Sequence, residues 1–131
     1  MTDPDPRFHA HIYFSDADRA AAEALRAFFL DHRGGTDEPC ILFVGPLREG
    51  PIGPHPLPQY EIHFLKSARD SVIAAIRASG LRALVHPLTD DDLADHTSLA
   101  HWIGEPLALD LSVLDPPGVN QGVPRFGKTD F

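Results

Sequence analysis

Apolar and polar residues alternate along Phe8-His9-Ala10-His11-Ile12-Tyr13-Phe14. Phe8, Ala10, Ile12 and Phe14 therefore share one side of an extended strand, and His9, His11 and Tyr13 share the other. Ser15 then offers a helix cap with Asp18 at the third helical position, and Ala21, Ala24, Leu25, Phe28 and Phe29 recur at helical spacing until Gly34-Gly35. Ile41–Val44 reads as a short, fully apolar strand, and Gly45–Pro58, rich in Gly and Pro, as a long loop. In 59–64 alternation returns, with Tyr60, Ile62 and Phe64 on one side and Gln59, Glu61 and His63 on the other. Ser67 with Asp70 opens a second helix whose stripe is Val72, Ile73 and Ile76, and Gly80 ends it. A fourth strand runs from Leu81 to His86 and stops at Pro87; Thr89–Asp92 begins a short helix ending near His96. Ser98–Ile103 and the apolar segment Leu107–Leu114 follow.

The order strand–helix–strand–strand–helix–strand predicts an α+β, ferredoxin-like βαββαβ sandwich, with an antiparallel sheet, both helices on one face and a C-terminal extension. Residues 1–7 read as a flexible lead-in, 8–114 as a single domain and 115–131 as an irregular tail. In this topology the strands lie in the order 4-1-3-2, with the first antiparallel to both neighbours. The face away from the helices is expected to stay open unless a partner or the C-terminal segment covers it, and a homodimer is expected because a second copy would do so.

Composition changes the picture in three ways. Eleven basic residues against 19 acidic ones leave a net charge of -8, which argues against nucleic acid and anionic membrane surfaces as partners. Neither a membrane-length apolar run nor a signal peptide is visible, and the single cysteine, Cys40, excludes an internal disulfide; a reducing cytoplasm fits. Cys40 precedes an apolar run and reads as a small core residue. Eight histidines remain to be explained.

The predicted topology gathers several of them. His9, His11 and Tyr13 share a face with Glu61 and His63 of the third strand, and His86 comes to the same end as His9. Imidazoles with a carboxylate on adjacent strands, about 4.8 Å apart, are a fitting first shell for a divalent first-row metal. His55 sits between prolines as a ligand, an acid–base group or a turn residue. His32 reads as a contact with a helix C-terminus, Trp102 as a core residue with His101 at the rim, and Asp90-Asp91-Asp92 as a helix-start charge cluster. Arg48 and Arg82 read as solvated charges.

Three stretches together carry a resemblance: His9-Ala10-His11-Ile12-Tyr13-Phe14; Gly53-Pro54-His55-Pro56 with Tyr60-Glu61; and His86-Pro87-Leu88-Thr89 with Asp91-Asp92, Asp95-His96 and Trp102-Ile103-Gly104. Over residues 8 to 114 the chain resembles the small DOPA 4,5-dioxygenase family of fungi and bacteria. The resemblance implies extradiol opening of a catechol such as L-DOPA by dioxygen on non-haem iron(II), and zinc or nickel can occupy such a site in purified protein. The family's signature histidines match His9, His11, His55, His86 and His96, whereas His63 and His101 are less typical of it. On this basis His11 and His86 are expected to hold the iron with His9 or His63. His55 or His96 would then be the acid–base group and Tyr13 a hydrogen-bond donor. Two alternatives stand beside it: a non-catalytic dimeric binding module, and a zinc-dependent enzyme of another class.

Overall fold

A computed structural model describes residues 7–35, 39–49, 55–88 and 92–113. The expected lead-in up to residue 6, Gly53-Pro54, the Thr89–Asp91 helix start and the tail lie outside them. Arg7 belongs to the first strand, β1 (Arg7–Tyr13), rather than to the lead-in. After β1 come α1 (Arg19–Asp31), β2 (Phe43–Val44), β3 (Gln59–Leu65), α2 (Arg69–Ser79), β4 (Arg82–Pro87), α3 (Asp92–His96) and β5 (His101–Ile103).

Local chemistry sets the element ends. The backbone N–H of Ser15 donates to Asp18 Oδ1 at 2.5 Å, and the Ser15 hydroxyl to the same oxygen at 3.2 Å. That clasp holds the 3₁₀ turn Asp16–Asp18 that leads into α1. At the other end His32 Nδ1–H donates to the Phe28 carbonyl at 2.9 Å, which makes the expected helix-end contact a hydrogen bond. Gly80 closes α2 at φ 78°, the left-handed conformation that a side chain disfavours. Ser67 does not cap α2: Lys66–Ala68 forms a 3₁₀ turn, and the N-cap is Ala68, with no side-chain cap.

The sheet order is β2-β3-β1-β4-β5, with every pairing antiparallel. The ferredoxin-like order is present and is extended by β5, an edge strand that sequence periodicity left unassigned. The second strand is shorter than its apolar run because Ile41 is held elsewhere. Its N–H donates to the His32 carbonyl at 3.3 Å, and its own carbonyl accepts from Gly34 at 2.8 Å.

Ala10, Ile12, Tyr60, Ile62 and Phe64 bury one face of the sheet against Leu25 and Phe29 of α1 and Val72, Ile73 and Ile76 of α2. Phe8 packs at the margin of this core. The opposite face is not open. His9, His11, His63 and His86 are all 0% exposed, so the chain closes over them by itself and a second copy is not needed as a cover. Among the described residues, no helix is long and apolar enough to cross a membrane.

Candidate metal centre

Pairing register decides which side chains meet. His9 lies opposite His63 on β3 and His86 on β4; His11 lies opposite Glu61 and Leu84; Tyr13 lies opposite Gln59 and Arg82. Side chains directly opposite across antiparallel strands stand close enough to touch. One side of the central strand thus collects imidazoles from three strands. The loop residue His55 and the α3 residue His96 bring two more from above. The rings of His55 and His11 have centroids 4.1 Å apart, and those of His96 and His86 4.3 Å apart.

The contact between His11 Nε2 and His86 Nε2 is 3.0 Å. The other nitrogen of each ring fixes its tautomer. His86 Nδ1 donates to the Pro87 carbonyl at 2.7 Å, and His11 Nδ1 to Gln59 Oε1 at 3.3 Å. Two Nε2 lone pairs therefore face one another, an arrangement that a shared cation complements. Burial first, and the surrounding histidines second, hold both rings far below the ordinary histidine pKa. Burial pushes His55 down to about 3, with His96 adding to the effect, and His63 down to about 4. These rings are neutral at pH 7, the state in which imidazole binds a metal.

Three groups of side chains have donor atoms within 4.8 Å of one another: His9, His11 and His86; His11, His55 and His96; and His9, Glu61 and His63. All seven are buried. The donor set of neutral imidazoles and one carboxylate suits a divalent first-row ion, iron(II) among them. Each histidine singled out from the sequence as a ligand or acid–base group is in this cluster. Tyr13 is at its edge, with its hydroxyl 2.7 Å from His55 Nδ1. Burial raises the phenol's pKa, so Tyr13 keeps its proton and donates it.

Some residues fall differently from expectation. Trp102 is only half-buried; it lies on the histidine face, stacked on Tyr13 with centroids 6.1 Å apart, and is not a core residue. The cause is register, since Trp102 pairs with Leu84, which pairs with His11. His101 consequently turns to the helix side, where burial and the charges of Arg69 and Arg77 lower its pKa. Arg82 is half-buried beside Tyr13 and lines a cavity of about 250 Å³ with it, rather than being simply solvated. Cys40 is half-buried rather than a core residue. Gln59 was not anticipated as an orienting group, although its place in the alternation of β3 carried the signal. Asp95, which stands beside His96 among the motifs that carry the resemblance, is fully buried.

Glycine positions the carboxylate. A Cβ on Gly45 would stand 3.2 Å from Glu61 Cγ, and the Gly45 N–H donates to the Glu61 carbonyl at 2.8 Å. Beyond His96 lies a cavity of about 270 Å³ lined also by Thr97, Trp102, Leu107 and Leu111. His96 is the member of the histidine cluster that lines it, beside the Trp102 ring.

Comparison with known proteins agrees with this picture. The profile of the Dopa 4,5-dioxygenase family matches residues 8–113. A protein named DOPA 4,5-dioxygenase from Amanita muscaria is 36% identical over 113 residues, covering 82% of this chain and 49% of that protein. An uncharacterized 21.2 kDa protein from Botryotinia fuckeliana is 32% identical over 117 residues, covering 82% of this chain and 62% of its own length. The chain thus spans less than two thirds of these curated relatives. The crystal structure of a dioxygenase candidate from Nostoc punctiforme superposes with a TM-score of 0.70 at 31% identity, covering 86% of this chain and 96% of that one. With a profile match over most of its length and these relatives, the chain belongs to the DOPA 4,5-dioxygenase family.

Proposed function

We propose that the chain is an extradiol dioxygenase that opens the ring of a catechol, such as L-DOPA, with iron(II) and dioxygen. The observation that carries this reading is the pair of Nε2 atoms of His11 and His86, 3.0 Å apart with both Nδ1 protons committed to carbonyl oxygens. His9 is the third ligand, because its donor lies within 4.8 Å of both, while His63 groups with Glu61. Iron held there supplies dioxygen activation and the electron transfer that ring cleavage requires.

The chain's own residues do the rest. The cavity beside His96 receives the catechol ring against Trp102 and Leu107. His55, whose Nδ1 accepts from Tyr13, carries its proton on Nε2 and donates it to a bound catechol oxygen. The Tyr13 hydroxyl at 2.7 Å fixes that imidazole and donates to its Nδ1. His96, lining the cavity, is the second proton-transfer group. The nearly complete burial of the cluster keeps these groups dry and preorganised.

The test is anaerobic loading with ferrous iron, followed by oxygen-electrode and visible-absorbance measurements across a panel of catechols. Loaded wild type should consume oxygen and form a yellow ring-opened product; His11→Ala should lose both the iron and the product. Oxygen uptake absent with every catechol, or full iron occupancy in His11→Ala, would overturn the proposal.

A further inference from the structure

Arg82 has no role in the assignment above. Register places it opposite Tyr13, on the side of β4 that also carries Leu84 and His86. With Tyr13, Ser15, Asp18 and Leu57 it lines a cavity of about 250 Å³. Its stem lies against Gly104, where a Cβ would stand 3.5 Å from Arg82 Cγ. Burial raises the pKa of the Tyr13 phenol, and the nearby charge of Arg82 works against that rise. Among the described residues, no carboxylate lies within ion-pair distance of this guanidinium. Asp18, the acid in the same lining, has its Oδ1 engaged by the Ser15 N–H and hydroxyl. A half-buried cation without a counter-charge is incomplete, and the planar fork of a guanidinium is matched by a carboxylate.

We infer that this cavity is the subsite for the head group of a catechol amino acid, with Arg82 binding its carboxylate and Asp18 its ammonium. The inference rests on the ring-cleaving reading above and narrows it to zwitterionic substrates. One cation and one anion in a space of this size complement a head group that carries both charges. A plain acid would meet Asp18, and a plain amine would meet Arg82. The Tyr13 ring borders this cavity while its hydroxyl holds His55. Trp102, stacked on Tyr13, borders the cavity beside His96. Tyr13 and His11 are alternate residues of β1, about 7 Å apart along the strand. The span from the ligand layer to Arg82 therefore suits an aromatic ring with a short side chain.

Binding tests this without turnover. The full chain is titrated with L-phenylalanine, and with L-phenylalaninamide, which lacks the carboxylate, by isothermal titration calorimetry. Fluorescence of Trp102, the chain's one tryptophan, is followed in parallel. Wild type should bind the amino acid about 10–100-fold more tightly than the amide, as the loss of charge-assisted hydrogen bonds implies. Arg82→Gln should lose that preference. Because the preference is a ratio within one protein, a general packing defect does not imitate its loss; far-UV circular dichroism checks that the variant is folded. In the iron-loaded protein, Arg82→Gln should lower the ratio of kcat/KM for L-DOPA to that for 4-methylcatechol by tenfold or more. Equal binding of acid and amide by wild type, or a preference kept in Arg82→Gln, would overturn the subsite. Turnover of both catechols with an unchanged ratio would also overturn it and leave the ring-cleaving reading standing. A carboxylate preference lost in Arg82→Gln, in a protein that consumes oxygen with no catechol, would support the amino-acid site and remove the ring-cleaving reading instead.

Discussion

Lowering the pH from 6.5 to 5.5 in the metal-free protein should remove about 4 kcal/mol of folding stability. His11, His55, His63 and His86 are buried with pKa values depressed below the ordinary histidine value, to about 3 for His55 and about 4 for His63. In the unfolded chain the same rings titrate near ~6.5. Over this interval the folded protein binds none of these protons while the unfolded chain binds them, so stability falls as pH falls. Each ring contributes RT ln[(1 + 10)/(1 + 1)], about 1 kcal/mol, over this one unit, and four give about 4 kcal/mol. That is a large share of the ~5–15 kcal/mol of a typical domain. The loss begins near pH 6.5 and continues until His63 and then His55 take up their protons near pH 4 and 3. Carboxylates titrate mostly below pH 5, which keeps the interval clean. Urea unfolding followed by circular dichroism at pH 7.5, 6.5 and 5.5, with chelator present, measures the effect. A change below about 1 kcal/mol between pH 6.5 and 5.5 would refute the reasoning, because it would mean that the rings are charged or accessible in the fold.

Other perturbations probe separate parts of the molecule. Tyr13→Phe removes the donor to His55; turnover should fall while bound metal stays at the wild-type level, as oxygen uptake beside metal analysis will show. Phe29→Ala empties a position with no solvent exposure in the core and should cost about 3–5 kcal/mol in urea unfolding. Gly80→Ala forces a side chain into φ 78° and should cost about 1 kcal/mol, visible as a lower melting temperature with metal content unchanged.

Much of this molecule is legible in its alternations. Period two in β1 and β3 is strict, and because one side of each strand is wholly apolar, the sequence alone decides which side faces the helices. From there the topology brought His9, His11, His63 and His86 together without any knowledge of register. Register itself is not written in a single strand, which is why His63 could not be separated from His9 as a ligand until Glu61 was seen beside it. The three-residue β5 is too short to show a period, and Trp102 was therefore assigned to the wrong layer. Closure of the histidine face by the chain's own loop and third helix is illegible in the sequence for another reason. It depends on where a Pro-rich loop and a five-residue helix fold back, and no local pattern encodes that.

The central strand has no side facing water: Ala10 and Ile12 lie under the helices, and His9 and His11 lie in the metal-competent layer, all with 0% exposure. Deleting or inserting one residue there would turn the strand over, driving imidazoles among the phenylalanines and leaving hydrocarbon where ligands stood. Folding and metal chemistry would be lost together. Mutational tolerance along this chain should accordingly drop to its minimum at these few positions.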